Sequence, residues 1–238
     1  MSYNYGAKNA KDIDTPWTHW FLYGPTGGGK TTAAATFPKP CFLVPQNEQS
    51  ITTLAGRDVA YFEIVDMDQT RLDLKTGRGS MMHVVDHLIR GYLKDPDNFP
   101  FDTLVFESLS HYGDLVQEQL TRGDQKMDQQ KWGFFLAHFR TLQARLRALD
   151  LHVVFTSLDS LKEEQGGSGY IGGPLIPGQS AIKLPASCDV IGYCEEKGGK
   201  HTIHFRTHRN FRARSRFPKL PAKVVNFEFS DVEKYLTL

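Results

Sequence analysis

Apolar positions along this chain fall into short runs separated by polar or glycine-rich stretches. The runs follow two different periods. Trp17–Tyr23 is aromatic-rich and apolar, the pattern of a strand, and leads into the glycine-rich stretch Gly24–Gly29. Lys30–Phe37 suits a short helix, which Pro38 and Pro40 stop. Cys41–Val44 and Val59–Val65 predict buried strands, Thr103–Phe106 a strand ending at Glu107, and Leu151–Thr156 a fifth. Ser80–Leu93, Leu109–Leu120 and Trp132–Leu149 carry apolar residues at helical spacing, the last with arginines on its open face. Ser157–Ser180 is rich in glycine and has no period, which predicts a long loop, a class that is usually functional or mobile. Val190–Glu195, His201–His208 and Phe211–Phe217 alternate as antiparallel strands would.

Strands alternating with helices predict an α/β fold of three layers. Its central sheet would be mostly parallel, with C-terminal antiparallel strands extending one edge. Residues 1–16 form a polar lead-in. No repeat or linker divides 17–238, so one domain is expected there.

One segment carries specific chemistry. Gly24-Pro25-Thr26-Gly27-Gly28-Gly29-Lys30-Thr31 matches G-x-x-x-x-G-K-[ST] between a predicted strand and a predicted helix, the context in which that motif cradles phosphates. Glycines let main-chain N–H groups close around a triphosphate, and the start of the helix favours its charge. Gly24 to Thr32 are therefore the expected nucleotide contacts. Lys30 would reach the β- and γ-phosphates, and the Thr31 hydroxyl would ligate Mg²⁺.

Such a site needs a carboxylate for the metal, and Glu107 fits, at the tip of Leu104-Val105-Phe106. An aspartate is usual there, so a glutamate leaves the metal geometry and the rate of hydrolysis open. A group that orients water is also needed. Glu48, just past the Cys41–Val44 run, is the leading candidate, with Asp66 and Asp68 as weaker competitors. Thr156 and Ser157 could hydrogen-bond the γ-phosphate or stand as ordinary strand-end hydroxyls.

Composition narrows the setting. The 238 residues are 40% hydrophobic and 23% charged with a net charge of +1, values of an ordinary globular chain. Three cysteines without C-x-x-C spacing argue against a disulfide framework or a structural zinc site, and fit a reducing compartment. No apolar run nears the roughly 18 residues of a membrane span, and a cytoplasmic protein is expected.

The charge is unevenly placed. From Lys197 to Phe227 there is no Asp or Glu, yet there are nine Lys or Arg, with Phe205, Phe211 and Phe217 interleaved. Basic residues track phosphates and aromatic faces stack on bases, although phenylalanines in strands ordinarily belong to the core. Arg206, Arg209 and Arg212 are the candidate nucleic-acid contacts from this run. Within Ser157–Ser180, Lys162 could meet phosphate and Tyr170 could stack, with Gly166–Gly173 ordering around a strand. Arg122–Lys131 is a weaker DNA-facing candidate.

Together these residues resemble the RecA-type ATPase core, with Glu48 after the strand that follows the P-loop helix, Glu107-Ser108, and the polar pair Thr156-Ser157. A closer likeness is to the phage RecA-like single-strand annealing ATPases, minimal RecA cores counted among the AAA-type ATPases. It is carried by Gly173-Pro174-Leu175-Ile176-Pro177-Gly178, Leu184-Pro185-Ala186-Ser187-Cys188-Asp189-Val190 and Arg214-Ser215-Arg216, and covers most of Thr18–Phe217. Glu107 for Asp, and Ser157 where a His often stands, depart from the pattern. The resemblance implies a RecA-like P-loop fold, ATP and Mg²⁺ as cofactors, and a homo-oligomeric ring or filament on single-stranded DNA. It further implies annealing or recombination activity, a single-strand-binding protein as a further partner, and the cytoplasm of a phage host. Arg214 and Arg216 would act as trans arginines at a neighbour's nucleotide.

Two other readings stay open, a P-loop kinase of a small metabolite and a non-hydrolysing nucleotide switch. The kinase is disfavoured because Ser157–Ser180 holds no arginine for a lid, and a GTPase because Asn-Lys-x-Asp is missing.

Overall fold

A computed structural model describes residues 17–121, 126–163 and 170–237. Residues 1–16, 122–125, 164–169 and 238 lie outside the described residues, and with them the lead-in Met1–Pro16, 122–125 of the candidate Arg122–Lys131 and 166–169 of the candidate Gly166–Gly173.

In chain order the strands are β1 His19–Tyr23, β2 Pro40–Pro45, β3 Ala60–Ile64, β4 Arg78–Gly79, β5 Thr103–Phe106 and β6 His152–Ser157. They continue as β7 Asp159–Glu163, β8 Tyr170–Pro174, β9 Val190–Lys197, β10 Lys200–His204, β11 Arg214–Ser215 and β12 Lys223–Val225. The helices are α1 Lys30–Ala34, α2 Met81–Lys94, α3 Leu109–Thr121, α4 Gln129–Leu146, α5 Ser180–Ala186 and α6 Phe229–Val232.

One sheet runs in the order β12-β10-β9-β1-β6-β5-β2-β3-β4, with β11 paired to β9. From β9 to β4 every neighbour is parallel. β10, β11 and β12 join antiparallel. Alternate side chains of the central strands enter two cores. Phe21, Tyr23, Leu104, Phe106, Val153 and Phe155 pack with α2, α3, α4 and α5. Trp20, Leu22, Val105 and Val154 face Ala33 and Ala34 of α1 and Phe229 and Val232 of α6. This is a three-layer α/β arrangement around a mostly parallel sheet. Near-continuous apolar strands are what a sheet covered on both faces requires.

Helix starts follow their capping residues. Ser80 accepts from His83 N ahead of α2, and Asp128 from Lys131 N ahead of α4.

The structure departs from the sequence pattern in three places. Ser157–Ser180 is not an open loop: β7 and β8 pair antiparallel in a hairpin and α5 begins at Ser180. The hairpin is held by main-chain bonds, and glycine is required where Gly172 passes Phe211, because an added Cβ would lie 2.2 Å from that ring. Val59–Val65 does yield a strand, but Ala60 and Tyr61 are exposed, because the outer neighbour β4 has only two residues. Val190–Glu195 runs parallel to β1, so the antiparallel ribbon starts only at β10. Within Phe211–Phe217, only Arg214–Ser215 is a strand.

Candidate nucleotide site

Because β6 lies between β1 and β5, the carboxyl ends of all three open on one crevice. The loop after β1 is tied down at both ends. Gly24 N donates to Ser157 O at 3.3 Å, and Gly28 N to Pro25 O at 3.1 Å. A Cβ on Gly24 would stand 2.0 Å from the Cys194 carbonyl of β9, so no other residue passes there. Gly29, at φ 85°, turns the chain into α1 through the left-handed region. Pro25, Thr26 and Gly27 form an exposed lip, while Thr31 and Thr32 are half-buried behind it.

Lys30 is only 7% exposed, and its ammonium is satisfied within the loop. Nζ donates to Gly24 O at 2.9 Å and to Pro25 O at 2.8 Å. A buried cation held by neutral carbonyls is ready to exchange them for phosphate oxygens, which are stronger partners.

Thr31 Oγ1 donates to Glu107 Oε1 at 2.9 Å. Glu107 is buried, and its Oε2 has no hydrogen-bond partner. Burial pushes its carboxyl up to about 7. The nearby hydroxyl of Thr156, the hydrogen bond from Thr31 and the charge of Lys30 act in the other direction, and the charge of Glu48 adds to the rise. An orphaned buried carboxyl oxygen beside a hydroxyl and an ammonium is a donor set that a hard divalent cation completes, so these residues fit a magnesium nucleotide.

Glu48 reaches the same neighbourhood from the end of β2. Its carboxylate contacts His111 Nδ1 on α3 and accepts the Ser50 N–H at 2.9 Å. His111, absent from the sequence reading, therefore helps to hold the candidate water-orienting acid. Nothing in the spacing of Glu48 and His111 announces the pair, because they lie on different elements. Thr156 and Ser157 are fully buried. Thr156 Oγ1 donates to Phe106 O at 3.3 Å, bridging β6 to β5 below Glu107, and Ser157 Oγ to Leu158 O at 3.0 Å. The backbone of β9 and the His201 ring, which lies about where a Cβ on Gly29 would point, complete the walls of the loop.

Arg214 and Arg216 are not at the chain's own crevice. β11 pairs with the first residues of β9, level with the middle of β1 rather than its tip. Arg214 Nη2 donates to Ala186 O at 2.7 Å and Cys188 O at 3.1 Å, and Arg216 Nε stands 3.7 Å from Asp189 Oδ1. Lys162, Arg212 and Arg214 line one cleft of about 890 Å³ between the hairpin, α5 and β9. Tyr170 is 53% exposed on the hairpin, and Arg206, Arg209 and Arg212 are exposed. Phe205 and Phe217 are core residues, and Phe211 stacks on Tyr193 at 3.9 Å. The three cysteines are free and buried, and burial pushes each thiol up to about 12, which leaves them without nucleophilic character.

The profile of the AAA domain family matches residues 18–217. No curated protein matches. Among solved structures, a prototypical ATPase from the type III secretion system of pathogenic bacteria is similar at 10% identity with a TM-score of 0.46, over 74% of this chain and 51% of that one. The chain thus spans about half the length of that structure. No helix among the described residues is long and apolar enough to cross a membrane.

Proposed function

This chain belongs to the AAA-domain family, and from that premise we propose that it binds and hydrolyses ATP with Mg²⁺, assembles as a ring or filament on single-stranded DNA, and promotes annealing or recombination. The observation that carries the reading is the convergence of Lys30, Thr31 and Glu107, from two strand ends, on one buried crevice.

Bound magnesium would neutralise charge developing between the β- and γ-phosphates. The chain's own groups do the rest. Thr31 Oγ1 and Glu107 would hold the cation, and Lys30 would exchange the Gly24 and Pro25 carbonyls for phosphate oxygens. Glu48, steadied by His111 and the Ser50 N–H, orients a water and takes up its proton. Arg214 and Arg216 serve a neighbouring subunit's nucleotide. In mixed assemblies, intact arginines from a neighbour would restore turnover at the nucleotide site of a subunit that lacks its own.

Single-stranded DNA would lie along the cleft where Lys162 and Arg212 meet, flanked by Tyr170, Arg206 and Arg209. A single-strand-binding protein is a further expected partner, and the cytoplasm of a phage-infected bacterium the expected setting. ATP turnover with and without single-stranded DNA at two salt concentrations tests this reading. Stimulation that fades with salt supports it. Turnover indifferent to DNA removes the DNA role, and an absence of turnover removes hydrolysis.

A further inference from the structure

Resting on the nucleotide reading above, we propose that His201 and the bare turn Gly198-Gly199 form the nucleoside end of the same site. The His201 imidazole contacts the base and ribose, the part of the ligand that the phosphate loop does not hold.

The order of strands gives the ligand a direction. β6 and then β5 lie on one side of β1, and β5 carries Glu107 to Thr31, with Glu48 arriving from β2 beyond it. The γ-phosphate and its magnesium belong on that side. On the other side of β1 lie β9 and then β10. A triphosphate anchored by the loop after β1 therefore sends its nucleoside toward the β9–β10 turn. That turn rises beside the loop. β9 runs parallel to β1 with Tyr193 next to Tyr23, continues past it to Lys197, and returns at Lys200. Ligands of such sheets sit outside the carboxyl ends of the parallel strands, where this turn stands.

The fold holds His201 in place without using its ring nitrogen. The His201 N–H donates to Asn226 Oδ1 at 3.3 Å, and the His201 carbonyl accepts from Asn226 N at 2.7 Å. The ring packs on the phosphate loop: a Cβ placed on Gly29 would stand 2.9 Å from His201 Cγ and 3.0 Å from Nδ1. Nδ1 is buried and has no hydrogen-bond partner, which is an unfavourable state for a polar atom. The residue as a whole is only half-buried, so a ligand can reach it. Gly198 and Gly199 turn through the left-handed region at φ 62° and 74°. A Cβ on either would meet nothing within 4 Å, so the approach past the turn is unobstructed. A nucleoside supplies what the fold withholds from this ring. Ribose hydroxyls and base nitrogens pair with an imidazole, and a flat base stacks on one. Phosphate groups have their own partners in the loop amides and Lys30.

Calorimetric binding of ATP and of inorganic tripolyphosphate to the full chain with magnesium tests the assignment. His201→Ala should weaken ATP binding by about 10-fold or more while changing tripolyphosphate binding by less than about 2-fold. His201→Gln, which keeps a hydrogen-bonding side chain, should recover part of the loss. Lys30→Ala should lose both ligands. Equal losses of ATP and tripolyphosphate in His201→Ala would make His201 a support of the loop and overturn the proposal. So would wild-type ATP affinity in that variant, with the phosphate loop left standing. A wild-type chain that binds neither ligand would instead remove the nucleotide reading itself. If His201→Ala does not fold, or tripolyphosphate binds too weakly to measure, the His201 ring signals in the proton NMR spectrum decide. ATP should move them, and signals that stay in place at saturating ATP overturn the proposal.

Discussion

The phosphate crevice and the C-terminal edge both gather cations, in opposite surroundings. Lys30 is buried, fixed by two carbonyls, and set beside a buried carboxyl whose partner is a threonine one residue along the chain. Arg206, Arg209 and Arg212 stand exposed on a stretch with no acidic residue. A buried charge works through one geometry, and removing it leaves its neighbours uncompensated. Exposed charges act through summed potential, so each counts for little and salt weakens all of them. The first arrangement suits selection of one ligand in one pose, and the second suits a polymer gripped along its length.

Single substitutions should separate the two regions. Lys30→Ala should have the largest effect, lowering ATP turnover by about 100-fold or more, because no other side chain in the loop can meet the γ-phosphate. Steady-state kinetics with equilibrium nucleotide binding measures it, and near-normal turnover would remove Lys30 from the mechanism. Glu48→Gln should follow, cutting hydrolysis by about 10- to 100-fold while nucleotide affinity is kept. Loss of binding instead would make Glu48 a support of the loop rather than a water-orienting group.

A third intervention touches neither set of cations. His152, below the sheet at the start of β6, accepts from Thr18 N at 3.1 Å, and burial brings it down to about 4. A base whose folded value is depressed gives stability that is complete above its ordinary value near 6.5 and lost as pH falls toward 4. Its share is on the order of 2 kcal/mol. Denaturant melts at pH 7 and pH 4 should show that loss, and His152→Gln should flatten the difference. The smallest effect belongs to the hairpin cleft that Lys162 shares with Arg212 of that exposed stretch. Lys162→Ala should weaken single-stranded DNA binding only about 2- to 5-fold, evenly across sequences, and lower the salt slope by about one. A 100-fold loss there would mean that the hairpin holds DNA through a single fixed contact, which would break the contrast with the crevice.

The phosphate loop was legible because its chemistry is local. A strand, four spaced glycines, a lysine and a threonine occupy consecutive positions, and main-chain geometry alone sets how they face a ligand. Glu107 was legible for a related reason, since an acid closing an apolar run stands at a strand tip in any parallel sheet. The hairpin β7–β8 was not, because main-chain pairing joins residues such as Leu161 and Gly172 without leaving a hydrophobic period.

Sequence alone thus determined the alternation of strands and helices, the phosphate-binding loop and the acid opposite it, all of which arise from neighbours in the chain. Tertiary structure decided that β6 separates β1 from β5, that Glu48 leans on His111, that Lys162 and Arg212 share a cleft, and that His201 packs on Gly29. Those pairings join residues from separate elements. Only the register of a folded sheet and the packing over its two faces fix such distances.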